Sequence, residues 1–307
     1  MSRFAYSHLC IYSPNTQSYS LLTTPLLTPQ LLKSKNMQNK YLEEFKKDQL
    51  RKCQLKQLGI LEVIDGICRR HGIEYWLDGG SLLGAVRHGG FIPWDDDIDI
   101  AMRLEDVKRF CEVAPKELGE GLMLQTRKTE PDTKEPIIKV RDLNSFYVEG
   151  GDNFAATYQK GVYVDIFPFI PYPTLPRKTV RFLTRGISRS RAILSKPHRY
   201  SIRAVAEFFY FNAKFALCRT VWALLCLFRS RGEYMSNTLN NNGYGIMHRT
   251  DSIFPLGKIE FEGKEFPAPA NPDAYLTDLY KNYMEIPPED KRVIHSVFIM
   301  SELIKEK

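Results

Sequence analysis

An α+β fold is what this sequence predicts, and three observations point to it. Short β-branched and aromatic runs at residues 73–77, 97–101 and 161–169 are separated by segments with helical periodicity. Residues 171–235 form a helix-patterned block with its own charge character. After it come a hairpin signal and a helix start.

Residues 1–36 are rich in Ser, Thr, Pro and Leu, and no acid precedes Glu43. They lack a continuous apolar targeting core, so the expectation is a disordered tail, or coding upstream of a start at Met37. From Met37 an amphipathic helix is expected, with Leu50, Leu55, Leu58, Leu61 and Ile64 on its apolar side.

Residues 73–77 read as a strand ending at the turn Asp78-Gly79-Gly80-Ser81. Ser81 is the expected N-cap of a short helix, with Leu82, Leu83 and Val86 on its apolar side and Gly89-Gly90 ending it. Glycines between a strand and a helix start let a backbone approach phosphate oxygens and offer them N–H groups. Ala85 follows Gly84 where a Walker A loop needs Lys, so this is not that motif, and a plain tight turn has the same appearance.

The acids after it are more specific. Asp97-Ile98-Asp99-Ile100 alternates like a half-buried strand, which puts both carboxylates on one face and both isoleucines in the core. Like charges side by side on a strand ask for a cation. A calcium loop of the EF-hand type needs Gly where Ile100 stands, and a solvated acidic turn would not be bracketed by Phe91, Ile92 and Trp94. Residues 161–169 carry one acid, Asp165, inside a strongly β-forming run, which makes it a third metal-facing carboxylate or the partner of an arginine such as Arg141. Three carboxylates, Asp97, Asp99 and Asp165, make an all-oxygen site suited to Mg²⁺ or Mn²⁺, with Asp165 on the ion that activates an acceptor hydroxyl or acting as its base. Arg87 and His88 either complement the short helix's C-terminus or contact donor phosphates. Trp94 either stacks on a donor base or packs beside Ile92 and Pro93. Asp95 is a supporting or metal residue, and Asp96 faces solvent.

Residues 177–231 hold thirteen Lys/Arg and a single acid, Glu207. The whole chain is +7, so the basic character is local, which argues against a nucleic-acid surface. Residues 204–228 are dense in Phe, Leu, Ala and Trp, but Glu207, Lys214 and Arg219 interrupt them too often for a bilayer span. The block reads as an interfacial helix pair on an anionic membrane or as a subdomain burying that face on the core. Downstream, residues 258–261 and 264–266 flank a Glu262-Gly263 turn, and Asn271-Pro272-Asp273 starts a helix packed on the core. Six cysteines show no CxxC or paired spacing, so neither zinc nor disulfides are expected, in keeping with a reducing cytoplasm.

The string from Gly79 through Asp99, GGSLLGAVRHGGFIPWDDDID, resembles the LicD family of phosphocholine transferases, related to the fukutin-type proteins within the nucleotidyltransferase superfamily. Lys139-Val140-Arg141-Asp142, the 161–168 segment and residues 254–291 agree with it. The resemblance implies a small mixed sheet flanked by helices, with a catalytic core at 37–170, a helical insert at 171–235 and a substrate-side region at 236–307. It also implies metal-dependent transfer of a phospho-alcohol from a CDP-linked donor, CDP-choline or similar, to a hydroxyl of a cell-surface glycan such as lipopolysaccharide, capsule or teichoic acid. Gly79, Gly80, Ser81, Arg87, His88, Lys139 and Arg141 would then hold donor phosphate, and His295 is a minor candidate at the substrate end. A lipid-linked acceptor would suit a cytoplasmic enzyme at the inner face of the membrane. Two other readings stand beside it: a nucleotidyltransferase releasing pyrophosphate, and a non-catalytic membrane-associated glycan-binding protein.

Overall fold

The computed structural model describes residues 29–133, 138–150, 152, 156–195, 201–292 and 294–303, so most of the expected N-terminal tail lies outside the described residues. The chain divides into two units between Glu44 and Phe45, and of the first only the helix from Pro29 belongs to the described residues.

Helix α1 (Pro29–His71) is already helical at Pro29 rather than at Met37, and no Gly or Pro between Gln30 and Asn36 opposes it. Leu50, Leu58, Leu61 and Ile64 are buried as expected, but Leu55 is 49% exposed. Two glutamines, Gln54 and Gln57, take the core-facing stripe instead. Strand β1 (Tyr75–Leu77) leads into α2 (Gly79–His88), β2 (Asp99–Arg103), α3 (Leu104–Glu117), β3 (Leu122–Gln125), β4 (Ile138–Asp142) and β5 (Phe146–Glu149). The long β6 (Tyr163–Pro173) precedes α4 (Arg177–Leu194), α5 (Ile202–Phe228) and β7 (Arg231–Asn237). The rest is β8 (His248–Arg249), α6 (Thr250–Ile253), β9 (Gly257–Phe261), β10 (Lys264–Ala268), α7 (Pro272–Tyr280) and β11 (Ser296–Met300).

The sheet is mixed, in the order β1-β2-β6-β4-β3, with β7 also on β6 and β8 on β7. Among the described strands of this sheet only β2 and β6 run parallel. Along β6, Tyr163–Ile166 pair with β4, Asp165–Phe169 with β2 and Phe169–Pro173 with β7. The main core gathers Trp76, Phe110, Ile100, Ile166 and Phe169 with α1 and α7. The β9–β10 hairpin turns on Glu262 (φ 53°) and Gly263 (φ 74°), the positive-φ pair that matches strand twist. Asn271 caps α7 by accepting from Ala274 N at 3.0 Å.

Helices α4 and α5 form a hairpin between β6 and β7, and Pro173 and Arg231 at its base pair across those strands. A second cluster, including Tyr172, Val180, Leu183, Ile187, Cys218 and Trp222, holds it together. The interrupting charges do not stop α5 from being one 27-residue helix, long and apolar enough by length and composition to cross a membrane. Only Cys218 and Trp222 of that helix are buried.

Candidate active site

The parallel register of β2 and β6 sets Asp99 opposite Asp165, and β4 sets Lys139 against Asp165 from the other side. Asp97 lies before the first residue of β2, yet Asp165 N donates to Ile98 O at 2.8 Å, so the ladder reaches back toward it. Ile98 and Ile100 are fully buried while Asp97 and Asp99 are half-buried, which is the parity the alternation predicts.

The glycine turn lies against these acids. Helix α2 begins at Gly79, and its N-cap is Asp78, not Ser81; the Asp78 carboxylate accepts from Gly79 N at 2.7 Å. Ser81 instead accepts from Asp99 N at 2.8 Å, tying the first helical turn to the aspartate strand. A Cβ at Gly79 would fall 2.6 Å from Asp99 Oδ2, and one at Gly80 would fall 2.5 Å from Asp95 Oδ2. Only glycine admits carboxylates this close to a helix N-terminus, where first-turn N–H groups lack intrahelical partners.

Asp96 is fully buried, not solvent-facing. Its carboxylate accepts from Ser296 N at 2.6 Å and His295 N at 3.3 Å, which pins the start of β11 to the acidic loop. Burial pushes Asp96 up, but the His295 and Ser296 hydrogen bonds outweigh it and hold the group below the usual carboxylate range. Its charge therefore stabilises the fold above the unfolded-state value, and that contribution fades as pH falls through the lowered folded one. Asp96→Asn should cost about 1–3 kcal/mol in urea unfolding at pH 7 and progressively less in acid, because one amide oxygen replaces two acceptors. The loop is held from α1 as well: Gln54 Nε2 donates to Asp95 O and Gln57 Nε2 to Asp96 O, both at 2.8 Å. Glu262 accepts from Arg51 Nη2 at 2.7 Å and Phe91 N at 3.0 Å, clamping the other end.

The electrostatics are those of crowded acids. Burial first, then Asp95, Asp96 and Asp165, push Asp97 well above the usual range. Burial, then Asp97, Asp165, Asp78 and Asp95, do the same to Asp99. Burial and Asp96 push Asp95 up to about 6. Burial also raises Asp165, against the opposing pull of Lys139, whose ammonium lies 3.0 Å from Oδ1 and 3.2 Å from Oδ2. The partner of Asp165 is thus Lys139, not Arg141; Arg141 is buried and donates to Gln125 Oε1 and Gly161 O, both at 2.6 Å. Asp165 Oδ1 is buried, with the Lys139 ammonium beside it. Mutual repulsion among Asp95, Asp97, Asp99 and Asp165, which a single ammonium does not offset, and an all-oxygen donor set fit a hard divalent cation such as Mg²⁺ or Mn²⁺. Asp95, Asp96, Asp97 and His295 also offer ligand atoms within 4.8 Å of one another, but Asp96 is already engaged by backbone N–H groups.

The remaining candidates surround this centre. Arg87 Nη1 donates to Tyr283 O at 2.8 Å and Glu285 O at 3.4 Å, so its guanidinium stitches α2 to the segment after α7. The His88 ring meets Trp94 edge-on at 6.2 Å, and the Arg292 guanidinium covers the Trp94 ring at 4.2 Å. Sequence reasoning missed Tyr280, at the end of α7, whose phenol burial and the fields of Asp99, Asp78, Asp95 and Asp97 push well up. It missed Tyr275 as well, whose hydroxyl donates to the capping Asp78 at 2.7 Å beneath a stacked His248. Both tyrosines read from periodicity only as packing.

Residues 72–186 match a family model described as LicD/FKTN/FKRP, nucleotidyltransferase domain. The match takes in Asp78 through Asp165 and leaves out α5, Tyr280 and His295. The chain is similar to lipopolysaccharide cholinephosphotransferase LicD of Haemophilus influenzae, 29% identical over 265 residues, which cover 78% of this chain and 93% of that protein. It is also similar to ribitol 5-phosphate transferase FKRP of Homo sapiens, 39% identical over 111 residues that cover 34% of this chain and 19% of that one.

Proposed function

From the match of residues 72–186 to the LicD family model, we propose that the chain transfers a phospho-alcohol, phosphocholine or a similar group, from a CDP-linked donor to a hydroxyl of a cell-surface glycan. The observation that carries the reading is the clustering of Asp97 and Asp165 about Asp99, whose carboxylate lies against the glycine-packed N-terminus of α2. Its relatives are named as transferases of phosphocholine and ribitol 5-phosphate, which supports this reaction class.

Asp97, Asp99 and Asp165 would hold Mg²⁺ or Mn²⁺, which would neutralise donor phosphate charge and lower the cost of ionising the acceptor. The first-turn N–H groups of α2 at Gly80 and Ser81 face the diphosphate, where the helix dipole favours negative charge. Lys139 keeps Asp165 aimed between β2 and β4 and adds a positive charge beside the transferring group. The acceptor oxygen attacks the phosphorus that bears the alcohol, the bond to CMP breaks, and CMP leaves with its electron pair. The hydroxyl proton passes to a carboxylate of this cluster, which acts as general base. Free thiols at the described cysteines are in keeping with the cytoplasm as its place of work.

The test is incubation with CDP-choline, CDP-ribitol, CDP-glycerol or nucleoside triphosphates, with Mg²⁺ and a glycan acceptor, analysing every product. Acceptor-dependent CMP release that EDTA stops is the expected result. Pyrophosphate from a triphosphate, with no CMP, would make the chain a nucleotidyltransferase instead. Tight glycan binding without turnover of any donor would make it a binding protein.

A further inference from the structure

The α4–α5 hairpin carries an apolar surface that neither the core nor the reaction uses. On α5, residues Ala204, Phe211, Phe215, Cys218, Trp222 and Leu225 are covered or partly covered, a three-and-four spacing that marks the side turned to the rest of the molecule. The opposite side is left open: Ile202 is 92% exposed, Phe209 67%, Leu217 65% and Leu227 75%. At 100° per residue, the positions between Arg219 on one flank and Arg203 on the other span an arc of about 200° without a charge along the whole helix. The charges that interrupt the linear sequence, Glu207 and Lys214 among them, are thus sorted to the covered side and its edges.

The border of that face is basic. Arg219 lies at its edge on α5, and Arg191 of α4 is close enough to Arg219 and Arg127 that, after burial, their charges push its pKa down. Along α4, Lys178, Arg181, Arg185 and Arg189 recur at three- and four-residue steps and are all exposed, with Phe182 71% exposed among them. We infer that this helix pair is a docking surface for an anionic bilayer, with α5 lying in the membrane plane, its uncharged face in the acyl boundary and the arginines on lipid phosphates.

Two geometric facts favour lying over spanning. Both ends of the hairpin return to the same place on the sheet, where Pro173 pairs with Arg231. The α4 helix, locked to α5 through Leu183, Ile187, Cys218 and Trp222, carries too many guanidinium groups to enter hydrocarbon. A second copy of the chain is a poorer occupant, because a self-complementary contact would bring two segments of net charge +12 together. The docking stands independently of the reaction proposed above. Joined to it, the docking would hold the active site at a membrane surface that a lipid-linked acceptor shares.

The test is co-flotation of the full chain with vesicles of phosphatidylcholine alone or mixed with phosphatidylglycerol. The chain should float with the mixed vesicles, and added salt should weaken the binding. Phe209→Ser/Leu217→Ser/Leu227→Ser, all at exposed positions and checked for folding by circular dichroism, should lower partition on the order of 100-fold. Arg185→Gln/Arg189→Gln should lower it roughly tenfold on mixed vesicles alone. A chain that does not float with anionic vesicles, or a triple variant that floats as well as the parent, overturns the inference. Resistance to alkaline carbonate extraction overturns the in-plane placement. A lipid-free dimer that the triple variant dissolves makes a second copy the occupant.

Discussion

Asp97→Asn/Asp99→Asn should remove turnover by at least about a thousandfold while leaving the protein folded. Both carboxylates are proposed to hold the cation that meets developing charge, and single preorganised electrostatic contacts of this kind commonly carry 10²–10³ each. The same double variant should be more stable than the parent in EDTA. Each acid is buried among like charges that push its pKa well up, so the cation-free fold opposes its ionisation. Removing that repulsion should raise Tm by roughly 2–4 °C for every kcal/mol relieved. Mg²⁺ should stabilise the parent and leave the variant unchanged. A variant that loses activity and stability together, with no response of the parent to Mg²⁺, would mean that these acids serve the fold instead.

The pH dependence follows with a definite sign. A carboxyl whose folded pKa lies above its unfolded one keeps its proton longer in the folded state, so folding takes up protons between the two values. Stability of the cation-free protein should therefore fall as pH rises above the unfolded value of about 4, continuing through the region near 6 where Asp95 ionises. Saturating Mg²⁺ should flatten that decline, because the ion binds only the ionised set. Asp96 works in the opposite direction, since its charge is satisfied by His295 and Ser296. Thermal melts from about pH 2 to 8, with and without Mg²⁺, separate the two kinds of aspartate, because Asp96 acts below about pH 4 and the others above it.

What the sequence revealed and what it hid divide along the range of the interactions. The pairing of Asp97 with Asp99 was legible because strand parity is local, and Asp165 because a lone acid inside a Val-Ile-Phe run needs a reason. The hairpin at Glu262-Gly263 and the cap at Asn271 were legible for the same cause: their chemistry is complete within four residues. Gln54 and Gln57 were not, since a polar residue on an amphipathic helix looks like its wet side until a loop some forty residues on presents carbonyls to it. Asp96 looked solvated because its partners, the backbone N–H groups of His295 and Ser296, leave no mark in side-chain composition. In α5 the sequence displayed the interrupting charges but not their sorting, since Glu207, Lys214 and Arg219 fall on the covered side and its edges only once the helix has formed.

The second large effect expected is at the glycine turn. Gly79→Ala and Gly80→Ala should each reduce turnover by about a hundredfold or more, whereas Gly89→Ala should not. The comparison isolates close approach from backbone freedom. Gly79 (φ 51°) and Gly89 (φ 70°) both have positive φ, so an L side chain costs each of them on the order of 1 kcal/mol. At Gly89, the C-cap of α2, a Cβ meets nothing within 4 Å, and the cost ends there, as a modest fall in Tm. At Gly79 the methyl would lie 2.6 Å from Asp99 Oδ2, so the carboxylate must move by the better part of an ångström. Gly80 has no positive-φ cost, yet its methyl would lie 2.5 Å from Asp95 Oδ2. Displacements of about 1 Å at reacting groups are worth roughly two orders of magnitude in rate. Activity in the order Gly89→Ala far above Gly79→Ala and Gly80→Ala, with similar Tm for Gly79→Ala and Gly89→Ala, would show that the turn serves the carboxylates. Equal activity in all three would reduce Gly79-Gly80 to a means of turning the chain.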